Sequence, residues 1–156
     1  LTSFPASLTP EVLADFGVVE VIPVDPPASD PLTQAVEETL PTLKDGQWWQ
    51  VWLVRQATPE EAAAAGAELK ARMVQAIQDH LDAEARSRGY DGILSLASYA
   101  TSSNLPFSLE GRAGADWRDA VWAHGFAVLE AVQAATRPAP TVAELLAELP
   151  KMVWPS

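Results

Sequence analysis

A chain of 156 residues suits one domain, or one domain with a small appended lobe, and its 48% apolar content is enough to fill a core. Twenty-one acidic residues against ten basic ones leave a formal charge of −11, which speaks against nucleic-acid binding and against attraction to an anionic membrane surface. The absence of cysteine excludes disulfides, thiolate metal sites and a Cys nucleophile, and no apolar run approaches the roughly 20 residues of a membrane span.

The opening LTSFPASLTP has neither the basic start nor the apolar stretch of a signal peptide. Thr9, Pro10 and Glu11 predict a capped short helix through Val12, Leu13 and Phe16, stopped by Gly17. Val18–Val24 reads as a strand bounded by Gly17 and Asp25-Pro26-Pro27. Pro23 cannot donate to a ladder and places that end at a sheet edge. After a Pro-rich loop over 25–31, Gln34–Leu43 and Gln47–Gln56 flank Lys44-Asp45-Gly46, the signature of a tight hairpin. In the second arm Trp48, Gln50, Trp52 and Val54 share one face, and Trp49, Val51, Leu53 and Arg55 the other. With tryptophan on both faces, one must cover a core and the second needs a helix or a partner chain.

Composition shifts near residue 57, from a stretch holding three of the six tryptophans and more than half of the prolines to one rich in Ala, Leu, Glu and Arg. The expected architecture is α+β: a small three-stranded antiparallel β lobe over residues 1–57, then a helical domain over 58–156 with two long helices and short C-terminal helices. Thr58-Pro59-Glu60-Glu61 is a capping box, and the helix it starts runs to Gly89 with Leu69, Met73, Ile77 and Leu81 as its apolar stripe. Its small-residue start, Ala62–Ala67, would admit another helix, so part of it is expected to pack against another copy or another protein. Gly89-Tyr90-Asp91-Gly92 is a stop and turn, Ile93–Tyr99 a short helix, and Thr101–Asn104 a break. A second long helix is predicted from Leu105-Pro106 to Thr136. Trp117, Val121, His124, Val128 and Val132 form its buried stripe, widened by Trp122, Phe126 and Leu129. Thr141 and Glu144 form a further capping box for a last helix, Val142–Leu149.

The chemistry-bearing residues do not assemble into a motif. His80 lacks the helical spacing of a metal pair. Asp119 and His124 are five residues apart and point about 140° apart on a helix, so they form no dyad. Asp116 and Asp119 are a possible carboxylate pair, with Arg118 and Arg112 placed to neutralise them. Ser95–Ser103 contains no nucleophile elbow, and Gly111-Arg112-Ala113-Gly114 sits inside a helical pattern, where its glycines would permit close helix packing. No catalytic, cofactor-binding or metal-ligating residue is assigned, and no cofactor is expected. Large rings are the stronger signal: Trp48, Trp49, Trp52, Tyr90, Tyr99, Phe107, Trp117 and Trp122 are the candidate partner-binding residues.

Arg88-Gly89-Tyr90-Asp91-Gly92-Ile93-Leu94-Ser95, then Ser98-Tyr99-Ala100-Thr101-Ser102, Phe107, Glu110-Gly111, Trp117–Trp122, Thr136-Arg137-Pro138, Pro140-Thr141 and Leu149-Pro150, resemble a domain-of-unknown-function family of tailed bacteriophages and prophages. The Thr-Ser-Phe-Pro start, the Trp-rich arm and the Thr-x-Glu-Glu helix extend the resemblance over nearly the whole chain. Members of that family are described as tail-fibre or tail-fibre-assembly proteins and carry further residues before Ser-Phe-Pro, so an additional leader is expected here. The resemblance implies a non-enzymatic tail-associated protein, located in the virion tail and in the host cytoplasm during assembly. Its implied partners are other tail or tail-fibre proteins, with a homo-oligomer, a trimer, possible, and neither nucleic acid nor membrane insertion. The alternatives are an assembly chaperone absent from the mature virion, a sugar-binding receptor module using Trp48 and Trp52, and a hydrolytic accessory using Asp116, Asp119 or Glu110.

Overall fold

The computed structural model describes residues 17–156; the helix expected over Thr9–Phe16 lies outside them. The chain divides into two compact units, residues 1–67 and 68–156.

In the first unit, β1 (Val21–Ile22), β2 (Gln34–Lys44) and β3 (Gln47–Gln56) form one sheet in the order β1-β3-β2. The hairpin β2–β3 closes through Asp45 and Gly46 with φ of 53° and 79°, the two positive values that a type I′ turn requires. Leu40 and Pro41 interrupt the ladder between the Thr39 and Thr42 pairings, a bulge at the residue that cannot donate.

The third strand departs from expectation in length and direction. β1 is two residues long and pairs parallel to β3, Val21 with Trp48 and Ile22 with Trp49, so the sheet is mixed rather than antiparallel. A strand's own residues encode its faces but not its direction, which the connection sets. Here the eleven residues between Ile22 and Gln34 let the chain cross and return on the far side of β3. Pro23 ends the ladder, and side chains take over: Gln50 Oε1 accepts from Val24 N at 3.1 Å and Trp52 Nε1 donates to Val24 O at 2.7 Å.

The long helix α1 (Pro59–Ser87) starts with the expected capping box, Glu61 N to Thr58 Oγ1 at 3.2 Å and Thr58 N to Glu61 Oε2 at 2.8 Å. Arg55 on β3 then joins three elements, donating twice to Glu61 at 2.7 and 2.8 Å and once to Glu37 of β2 at 3.0 Å. That fork holds the Glu61 carboxyl down at about 2. Among the described residues of this unit, none is fully buried.

The second unit contains the core. Ile77, Leu81 and Ala85 of α1 meet Ile93 and Leu96 of α2 (Ile93–Ser98), then Trp117, Val121 and Val128 of α3 (Leu105–Gln133). Leu145 of α4 (Val142–Glu148) and Leu149 just after it complete the cluster. In the apolar stripe expected for α1, Ile77 and Leu81 are buried and Met73 packs against them. In that of α3, His124 and Val132 are half-buried and Phe126 is exposed. A single 3₁₀ turn, Tyr99–Thr101, follows α2, and Thr141 with Glu144 caps α4 by the expected reciprocal bonds.

Candidate functional site

Where α1 ends, the backbone makes a Schellman closure: Tyr90 N donates to Ala85 O at 3.2 Å and Gly89 N to Arg86 O at 3.0 Å. Gly89 holds the required left-handed φ of 97°. This closure fixes where the Tyr90 ring leaves the helix. Three residues on, Asp82 Oδ1 accepts from Ile93 N at 2.8 Å, so a carboxylate on α1 caps the start of α2. The Ile93 N–H is the main reason that the Asp82 carboxyl lies below the usual range. Gly92 is needed there for space, since a Cβ would stand 2.7 Å from Asp82 Oδ1.

Two glycines on α3 bring the other wall close. A Cβ on Gly111 would stand 2.5 Å from the Tyr99 carbonyl carbon and collide with Ala100 N; one on Gly114 would stand 2.6 Å from Leu96 Cγ. Only at glycine can α3 lie this close to α2 and the turn after it. Close helix packing is what the glycines of 111–114 are expected to permit, and Arg112 between them donates to Ala100 O at 3.2 Å rather than to a carboxylate.

Between these walls lies a cavity of about 430 Å³ lined by the α1–α2 turn, Ser95, Tyr99 and the first turns of α3. Tyr90, Tyr99 and Phe107 form an aromatic ladder, each neighbouring pair 5.5 Å apart and edge to face. Glu110 is at its base: Oε1 accepts from Arg88 Nε and Nη2 at 3.0 and 2.8 Å, and Oε2 accepts from the Tyr90 hydroxyl at 2.6 Å. Those bonds, Tyr90's first, pull the Glu110 carboxyl below its usual range. Burial, reinforced by Glu110, pushes the Tyr90 phenol up to about 12. Arg88 also lies 5.4 Å over the Trp154 ring, whose Nε1 donates to Glu84 at 2.8 Å and ties the C-terminal tail to α1. The ends of the ladder are 17 residues apart in sequence and Arg88 and Glu110 are 22 apart, so helical periodicity within one element does not show either. The paired Gly111 and Gly114 were the one visible hint that α3 had a close neighbour.

The structure separates the eight candidate aromatic residues into three groups. Trp48, Trp49 and Trp52 are half-buried on β3. Tyr90, Tyr99 and Phe107 meet in the ladder, with Tyr99 39% and Phe107 45% exposed. Trp117, 6% exposed, belongs to the core and donates to Pro150 O at 2.7 Å, while Trp122 packs on that core beside Phe126. A buried tryptophan offers no partner surface, so Trp117 works as packing.

Two of the three carboxylates considered for hydrolysis, Asp119 and Glu110, are committed to other partners. Asp119 pairs with Arg118 at 2.8 Å, and Glu110 is held ionised by its partners, the opposite of a general acid. His80 stacks edge-on against Trp117 at 5.8 Å. His124 Nε2 is buried without a hydrogen bond, 3.6 Å from Glu148, which Arg137 already grips at 2.9 Å. Among the described residues, no three acidic or imidazole groups converge as a metal site, and no helix is long and apolar enough to cross a membrane. By architecture the protein is an α+β chain, a mixed three-stranded sheet followed by helices. No known family's sequence profile, no curated protein and no solved structure matches it.

Proposed function

We propose that this chain is a non-enzymatic, tail-associated bacteriophage protein that acts by binding other tail proteins, as a structural part of the fibre or tail tip. The single observation that carries the binding reading is the first unit. Its sheet bears three tryptophans and apolar side chains on both faces, yet no described residue there is fully buried. Leu40, Leu43, Leu53 and Val54 all stand exposed on the two paired strands. Uncovered apolar surface of this kind marks protein interfaces. The bacteriophage assignment is supported by the resemblance carried by residues 88–95, 98–102 and 117–122.

Co-expression with neighbouring tail genes, followed by affinity purification and mass analysis of intact particles, tests the reading. Stoichiometric presence in purified virions is the expected result. Co-purification with fibre proteins but absence from virions would make the chain an assembly chaperone. A chain that binds no tail protein and is missing from particles would overturn the proposal. Trp48→Ala separates the receptor alternative: fibre incorporation is expected to fail, whereas a sugar-binding module would lose host adsorption and still be incorporated.

A further inference from the structure

The ladder cavity in the second unit has a charge and ring arrangement that selects its occupant. Three aromatic residues and two acidic ones, Asp91 and Glu110, line it, against one basic residue, Arg88. Its guanidinium is committed to Glu110 at 2.8 Å and to the Trp154 ring, so it has little to offer an incoming anion. Asp91 is exposed, and among the described residues its carboxylate has no ion pair or hydrogen bond; only its backbone oxygen is used, by Arg86 at 3.0 Å. Tyr99 and Phe107 each keep part of their surface open to solvent. Ring faces attract cations, an unpaired carboxylate attracts them further, and a chain of charge −11 draws them from a distance. The volume, about 430 Å³, accommodates a long side chain with its flanking backbone.

We propose that this cavity binds a lysine or arginine side chain of a partner polypeptide, the cation lying against Tyr99 and Phe107 and facing Asp91. The inference rests on the reading of the chain as a protein-binding component and names the chemistry of one contact. Its walls are preformed: the Schellman closure sets Tyr90, Asp82 sets α2, Gly111 seats Tyr99 on α3, and Glu110 locks Tyr90. A preformed site loses little ordering entropy on binding.

The test is titration of the ¹⁵N-labelled chain with blocked pentapeptides Ala-Ala-X-Ala-Ala, where X is Arg, Lys, norleucine or Glu, followed by amide NMR. The expected result is saturable binding of the Arg and Lys peptides, with shifts centred on Gly89, Ser95 and Gly111, at least about fivefold tighter than norleucine. Binding is expected to weaken as salt rises from 50 to 300 mM, since an exposed carboxylate contributes. Asp91→Asn, at an exposed side chain without partners among the described residues, is expected to weaken it at least about threefold while thermal melting stays unchanged, and Phe107→Leu to weaken it at least as much while lowering melting by only a few degrees through its lost contact with Tyr99. Equal affinity for norleucine, preference for Glu, shifts elsewhere, or binding of free hexoses at the same amides instead would overturn the inference. If the wild-type chain still co-purifies with tail proteins while no basic peptide binds, only this inference fails. If neither occurs, the functional proposal fails with it.

Discussion

The two units are built on opposite principles. The helical unit buries a ten-residue apolar cluster contributed by four helices and the segment after them, whereas the sheet unit contains no fully buried described residue. Its order comes from backbone pairing, one I′ turn and the Arg55 fork to Glu37 and Glu61. Surface ion pairs and a single hairpin supply little stability by themselves. The contrast teaches that rings occur in both units for different reasons: Trp117 is a core residue, while Trp48 and Trp52 are half-buried on a sheet in which no described residue is fully buried.

The largest test of that contrast is Leu81→Ala, at a position 0% exposed in the helical core. It is expected to cost about 3–5 kcal/mol by thermal or urea melting, enough to unfold much of the population. Gly111→Ala comes next, at about 2–3 kcal/mol or more, because the new methyl meets the Tyr99–Ala100 backbone. Gly114→Ala is expected to cost less, since Leu96 can change rotamer. Equal losses at the two glycines would contradict the close seat of the 3₁₀ turn on α3.

Both units carry a pH dependence, through the exposed Glu61 in the first and through Asp82, Glu110 and Tyr90 in the second. Asp82 and Glu110 carboxyls lie below their ordinary range when folded, so their contribution is complete above about pH 4–5 and drains as pH falls through the folded values. Tyr90 acts with the opposite sign: its contribution is whole below about pH 10 and is lost as pH rises through its folded value of about 12. Melting temperature is therefore expected to be level near neutrality and to drop at pH 3 and above pH 11. Glu110→Gln should shorten the acid limb, and an unchanged limb would remove Glu110 from the account.

A smaller effect has the opposite sign. Ala135 ends α3 in the left-handed region at φ 53°, in a second Schellman closure where Thr136 N donates to Ala131 O at 2.9 Å. Ala135→Gly should stabilise by about 0.5–1 kcal/mol, raising melting by about 1–4 °C. The smallest effect belongs to the sheet unit: Leu40→Ser, at 87% exposure, should change stability by less than about 0.5 kcal/mol while weakening capture of tail proteins. A large loss of stability there would mean that the sheet is covered from within.

Local chemistry was legible from the chain alone. Asp45-Gly46 announced the hairpin, Thr58 with Glu61 and Thr141 with Glu144 announced two helix starts, and Gly89 announced a helix end. Each depends on residues no more than five apart, so a linear reading reaches it. The periodicity of Ile77 and Leu81, and of Trp117, Val121 and Val128, likewise marked the buried faces. Tertiary structure alone decided that β1 runs parallel to β3, that Asp82 caps a different helix, and that Tyr90, Tyr99, Phe107 and Glu110 line one cavity beside Arg88. Those contacts link positions 8 to 27 residues apart in the chain, and the geometry of the ladder depends on how closely α3 approaches α2 and the turn after it, a distance set by the missing Cβ atoms of Gly111 and Gly114.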